Sequence, residues 1–222
     1  MASNDEAERA SERLRRAAEP DWSAAVEHRF VQELAAGTID AAVMRRYLVQ
    51  DYQFVDAFVV LLGAAIQAAP GFAQRLELGR FLGLVVSAEN TYFERSFDAL
   101  EVPPAAREAP ALAPPTADFR ALMHEAAASG DYGSMVAVLT VAEWLYLSWA
   151  APVAGREPAW FVLREWVALH SGPAFEAWVA FLRAELDWAF EAGDEATRAA
   201  IADRFRRAVA LERAFFDAAY TD

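Results

Sequence analysis

Between Tyr132 and Gly155 the only charged residue is Glu143. An apolar run of that length fits two environments, a lipid bilayer or the centre of a helical bundle. The run holds Ser134, Thr140, Ser148 and a central carboxylate. It has no flanking arginine cluster, and Asp131, a helix-capping residue type, precedes it. These features select a buried core helix, with other helices wrapped around it and no membrane association.

The rest of the chain supplies those helices. Helix formers dominate and turn signals are far apart. Residues 4–18 read as an exposed, charged helix ended by Pro20, an N-terminal extension over residues 1–20. Asp21 can cap a second helix to about Ala36, with Gly37 as the stop. Thr38 opens a long third helix to about Ala69, and a fourth covers 72–100. Pro103, Pro104, Pro110, Pro114 and Pro115 make 101–115 a wrapping loop. Thr116 starts a fifth helix, stopped at Gly130, and Asp131 caps the sixth, which ends near Pro152. Pro158 opens a seventh, to about His170. Ser171 caps an eighth, stopped near Gly193, and Asp194 caps the last, to about Tyr220. No short segment alternates apolar and polar residues, so strands are not expected. The expected fold is all-α, a single multi-helix bundle over residues 21–222.

Two residue types are absent. The chain has no cysteine, which excludes a thiolate nucleophile, Cys-ligated zinc and iron–sulfur clusters. It has no lysine either, so Schiff-base chemistry through a side chain and the P-loop pattern are excluded. The formal net charge of -13 argues against nucleic acid as a partner. The polar, acidic N-terminus shows no signal-peptide pattern, and a cytoplasmic location is expected.

Carboxylates stand where apolar residues belong. A helix buries the stripe at spacing three and four. On the third helix that stripe reads Met44, Tyr47, Asp51, Phe54, Phe58, Leu61. On the sixth it reads Tyr132, Val136, Leu139, Glu143, Tyr146, Ala150. On the last it reads Ile201, Phe205, Ala208, Glu212, Phe215, Ala219. Burying an ionised carboxylate is costly unless it is paired or protonated. Each either finds an arginine or a tyrosine hydroxyl, with Arg45 and Arg46 near Asp51, or lies at a stripe edge, or all three converge on one cavity. Convergence would perturb their pKa values in a way suited to proton transfer. The aromatics around them are core residues in the main, and a few would wall a flat ligand.

Searches for a metal or a nucleophile fail. His28, His124 and His170 are far apart. The Glu-x-x-His and His-Glu-x-x-His patterns are absent, as is the Gly-x-Ser-x-Gly elbow. No metal and no cofactor is expected.

Five motifs in order carry a resemblance. Gln50-Asp51-Tyr52-Gln53-Phe54-Val55 follows Phe30-Val31 and Gly37-Thr38. Then come Ser87-Ala88-Glu89 with Phe93, Ala142-Glu143-Trp144-Leu145-Tyr146, the segment from Trp166 to Phe175, and Glu212-Arg213-Ala214-Phe215-Phe216-Asp217-Ala218-Ala219-Tyr220. Together they span about residues 25–220 and resemble the TenA family, the thiaminase II-like proteins of thiamin salvage. One branch of that family carries a nucleophilic cysteine, which falls here at Ala142. This chain is similar to the other branch, which has a glutamate matching Glu143.

The resemblance implies a haem-oxygenase-like helical bundle without haem. It implies a hydrolase that converts an aminomethyl- or formylaminomethyl-pyrimidine to hydroxymethylpyrimidine, and a homo-oligomer, dimer or tetramer. Carried over by residue, Glu143 would be the central acid/base and activate water, and Glu212 would address the ring nitrogen or the leaving amine. Asp51 would hold the aminopyrimidine edge. Phe54, Phe119 and Tyr146 would frame the ring, with Tyr47, Glu89 and His170 completing the site. Phe119 and His170 fall where many members carry tyrosine. A non-catalytic pyrimidine- or thiamin-binding or regulatory protein on the same fold is the alternative; a relative performing cofactor or redox chemistry on that fold is a third.

Overall fold

The computed structural model describes residues 8–156 and 158–221. Among these there is no strand. The helices are α1 (Ala10–Ala17), α2 (Asp21–Val26), α3 (Arg29–Ala36), α4 (Ala41–Ala68), α5 (Phe72–Leu84), α6 (Asn90–Ala99), α7 (Pro104–Glu108), α8 (Pro114–Ala128), α9 (Tyr132–Ala150), α10 (Phe161–Leu169), α11 (Pro173–Ala192) and α12 (Glu195–Ala218). A π-helical turn, Val85–Glu89, joins α5 to α6.

Helix α9 is the apolar run, and it is the axis of the bundle. Of its 19 residues all but Ala142, Leu147 and Ser148 are buried. It packs against α2, α4, α8, α11 and α12. Asp131 caps it, accepting from the Ser134 amide at 2.8 Å. By length and composition α4 and the segment Tyr132–Val153 are each apolar enough to cross a bilayer. In the fold 67% of the apolar window in Tyr132–Val153 is buried, against 28% of that in α4. Gly133 sits where α9 meets α12, and a Cβ there would stand 2.6 Å from Ile201 Cδ1, so that side chain would have to shift.

Several boundaries differ from the sequence expectation, each for a local reason. The expected helix over 21–36 is two helices: Pro20, not Asp21, holds the N-cap position of α2, and His28 caps α3, its Nδ1 accepting from the Phe30 amide at 3.1 Å. Gly37, left-handed at φ 71°, ends α3, and the Thr38 amide returns to the Glu33 carbonyl. Thr38 therefore belongs to the stop, and α4 begins after Asp40, whose carboxylate accepts from the Ala42 amide.

The expected helix 72–100 runs to Ala99 and widens into a π turn at Val85–Glu89, with right-handed helical dihedrals on either side. Within the turn Ser87 Oγ donates to the Gly83 carbonyl at 2.6 Å. The 101–115 loop contains α7, and Pro114 rather than Thr116 opens α8, as suits proline at N1. Helix α10 starts at Phe161, beyond Pro158. Ser171 does not cap α11. Its hydroxyl donates back to the Val167 carbonyl, and Gly172, at φ 86°, makes the turn.

Helix α1 is partly buried rather than exposed. Ala10, Ser11 and Leu14 are enclosed against α11 and α12. The Ser11 amide donates to Asp187, and Glu12 pairs with Arg183, whose guanidinium lies over the Trp144 ring. The expected start of this helix at residue 4 lies outside the described residues.

Candidate active site

The three stripe carboxylates are buried, Asp51 at 9% exposure, Glu143 at 8% and Glu212 at 3%. Their helices α4, α9 and α12 turn those stripes toward one another. All three line a single cavity of about 280 Å³, at the small end of ligand sites (~300–1,000 Å³). Glu89 reaches the same cavity from the π turn and is its half-buried fourth carboxyl.

The Gln50–Phe54 motif works on two faces of α4. Asp51 and Phe54 face inward. Gln50 donates to the Ala111 carbonyl and accepts from the Ala113 amide, both at 2.9 Å. Gln53 donates to the Arg107 carbonyl at 3.0 Å. The glutamines thus pin the proline-rich strap to the helix that carries Asp51.

Phe54 and Phe119 meet edge to face at 5.4 Å and line the cavity together. Tyr146 and His170 line it as well, with ring centroids 4.7 Å apart. Tyr47 does not line it. It lies behind Tyr146, their hydroxyls 2.6 Å apart. The structure therefore brings eight of the nine expected site residues to the cavity wall and sets the ninth one layer back.

Phe81 and Trp178 also form the wall, stacked 4.0 Å apart. Their apolar spacing on α5 and α11 reads as ordinary core, so the sequence held no separate signal for them. The one available hint was Phe175 and Trp178 sharing a helix face just after the Trp166–Phe175 motif.

No arginine lines the cavity. Asp51 makes no ion pair among the described residues: Arg45 donates to the Glu101 carbonyl, and Arg46 Nε to the Ala219 carbonyl. Burial therefore pushes the Asp51 carboxyl well up, and the charge of Glu89 adds to it. Burial does the same to Glu143, again with Glu89. The Trp178 indole N–H, short of a full hydrogen bond, offsets a little of that rise. Glu212 is raised by burial, then by Asp51 and Glu143. Glu89 is raised by burial to about 7.

Four coupled carboxyls in one cavity do not all ionise near neutral pH. Such an arrangement is capable of acid–base chemistry, which a network of paired charges is not. Among the described residues no group of three or more His, Asp or Glu side chains has metal-holding geometry. His28 contacts Asp217, and His124 is exposed, so neither joins the cavity.

Comparison with known proteins follows the same lines. Residues 15–222 match the model of the TENA/THI-4/PQQC family. An aminopyrimidine aminohydrolase of Bacillus subtilis (strain 168) is 25% identical over 216 residues, covering 95% of this chain and 89% of that protein. A TenA family transcription regulator from Silicibacter sp. TM1040 has the same fold, with a TM-score of 0.84 at 22% identity and 96% of both chains covered. A TenA homologue from P. horikoshii OT3 gives 0.84 at 20% identity, covering 96% of this chain and 99% of that one.

Proposed function

The chain belongs to the TENA/THI-4/PQQC family, and from that premise we propose that it is a C–N hydrolase of thiamin salvage acting on an aminopyrimidine. The observation that carries this reading is the meeting of Asp51, Glu143, Glu212 and Glu89 in one aromatic-walled cavity. The name of the Bacillus subtilis relative agrees with it.

In this reading Asp51 hydrogen-bonds the amino edge of the pyrimidine, and Phe54, Phe119 and Tyr146 frame the ring. Water attacks the aminomethyl carbon as its C–N bond breaks. Glu143 takes the water's proton and Glu212 supplies one to the departing amine, leaving hydroxymethylpyrimidine and ammonia. For a formylated substrate the same groups serve attack at the formyl carbon, and formate leaves first. Without an arginine or lysine in its wall the cavity offers no counter-charge to a phosphate, so the substrate is the unphosphorylated pyrimidine. Ala142 lines the cavity beside Glu143 and brings no nucleophile, so thiamin itself is not cleaved through a thiol.

A cytoplasmic homo-oligomer is part of the proposal. Phe72, Leu76, Leu84 and Val86 are exposed along α5 and the π turn, and a second copy would cover them. The experiment is ammonia release from the aminomethylpyrimidine by the purified protein. Tight binding of the pyrimidine with no ammonia formed would replace catalysis with a binding or regulatory role.

A further inference from the structure

The cavity holds one ionisable group whose proton is fixed by geometry. His170 follows the last residue of α10 and turns its ring into a box of Tyr146, Trp149, Trp166 and Phe175, with centroid distances of 4.7, 6.3, 4.3 and 5.4 Å. Its Nδ1 lies 2.8 Å from the Trp166 carbonyl oxygen. A carbonyl only accepts, so Nδ1 carries the hydrogen and donates it. In a neutral imidazole the other nitrogen is then bare. Nε2 has no partner among the described residues, and the residue lines the cavity.

We propose that, at the site position the resemblance gives His170, the ring presents a bare Nε2 to the cavity as an uncharged hydrogen-bond acceptor for the substrate. It takes an N–H of the pyrimidine's amino groups or an O–H of the attacking water. This deepens the aminopyrimidine reading and rests on it for the identity of the donor.

The chemistry around the ring supports the neutral form. Burial holds the ring's pKa down at about 4, offset in part by the Trp166 carbonyl. The usual order of proton affinities is inverted here. The Glu89 carboxyl is raised to about 7 while the His170 imidazole is lowered to about 4. A ligand rich in N–H donors can then find an acceptor without placing a further negative charge among four carboxyls.

The test is ¹⁵N NMR of the full chain labelled at histidine, with the His170 signals assigned by their loss in His170→Phe. At neutral pH and without ligand the expected pattern is a protonated Nδ1 and a bare Nε2. An imidazolium, or the Nε2-protonated tautomer, overturns the proposal whatever the enzyme's activity. Adding hydroxymethylpyrimidine is expected to shift the Nε2 signal toward hydrogen-bonded values. Binding of that ligand with no change at Nε2 also overturns it. Absence of any ligand binding counts instead against the aminopyrimidine reading and leaves the tautomer result standing. His170→Phe is expected to raise KM roughly tenfold, and His170→Gln, which restores an acceptor, to recover part of that loss. Equal KM in both variants and the parent contradicts contact with the substrate.

Discussion

The hydroxyls of Tyr47 and Tyr146 lie 2.6 Å apart and tie α4 to α9 directly beneath the cavity. Tyr47 is one turn before Asp51, and Tyr146 one turn after Glu143, so this hydrogen bond sets the register of two carboxylates at once. Both hydroxyls hold their protons firmly, burial being the main cause. Tyr47→Phe leaves Tyr146 without that partner. It is expected to cost about 1–2 kcal/mol in urea unfolding, with the m-value unchanged. No loss would mean that the pair contributes nothing net to stability.

Glu143→Gln keeps the shape of the side chain and removes its ability to transfer a proton. Under the proposed hydrolysis, kcat falls by ~10²–10⁴ while the helical content and the cavity persist. Steady-state ammonia release with circular dichroism checks both halves. Turnover equal to the parent removes Glu143 from the mechanism.

Glu89 makes stability depend on pH with a definite sign. Its carboxyl is raised to about 7 in the folded chain, above the ordinary ~4.3 of an unfolded glutamate. The folded state therefore holds the proton more tightly. The stabilisation is fully present below the unfolded value and is lost as pH rises through about 7. Glu89→Gln is neutral throughout, so against it the parent loses up to about 3 kcal/mol between acid and mildly alkaline pH. Denaturation of both proteins across that range measures the difference. A constant difference contradicts the shift.

Gly133→Ala probes a close approach of α9 to α12. The added Cβ meets Ile201 Cδ1 at 2.6 Å and Ala189 Cβ at 3.2 Å, on two different helices. Overpacking of this kind costs about 1–3 kcal/mol, against the gain that alanine normally brings to a helix. A raised melting temperature would show that Ile201 can turn aside freely.

The stripe periodicity of three helices was enough to find Asp51, Glu143 and Glu212, because a buried carboxylate conflicts with everything around it. The helical class followed from the spacing of turn residues. Other features depend on contacts distant in sequence. Trp178 and Phe81 are aromatic residues on apolar faces, and whether such a residue meets a neighbour or a cavity depends on what lies opposite. Tyr47 shares a stripe with Asp51, yet the crossing of α9 places Tyr146 between it and the cavity. The π turn is a local widening of a helix that continues on both sides, and no residue type in Val85–Glu89 announces it. His28 as a cap was equally hidden, since the imidazole acts there only because the chain bends before Arg29.

The cavity walls are unequal. Helices α4, α9 and α12 are held on several sides, while in α5 and the π turn only Leu78 and Val85 are buried. Leu84, Val85, Ala88 and Glu89 nevertheless line the cavity. Local opening is cheapest where few contacts must be broken, so this wall opens readily in a single copy and less so where a second copy covers Phe72, Leu76, Leu84 and Val86. Residence time and thermal stability are therefore expected to be separable. Substitutions along 72–89 would change how fast a pyrimidine enters and leaves, and substitutions in the three inner helices would change the temperature at which the protein melts.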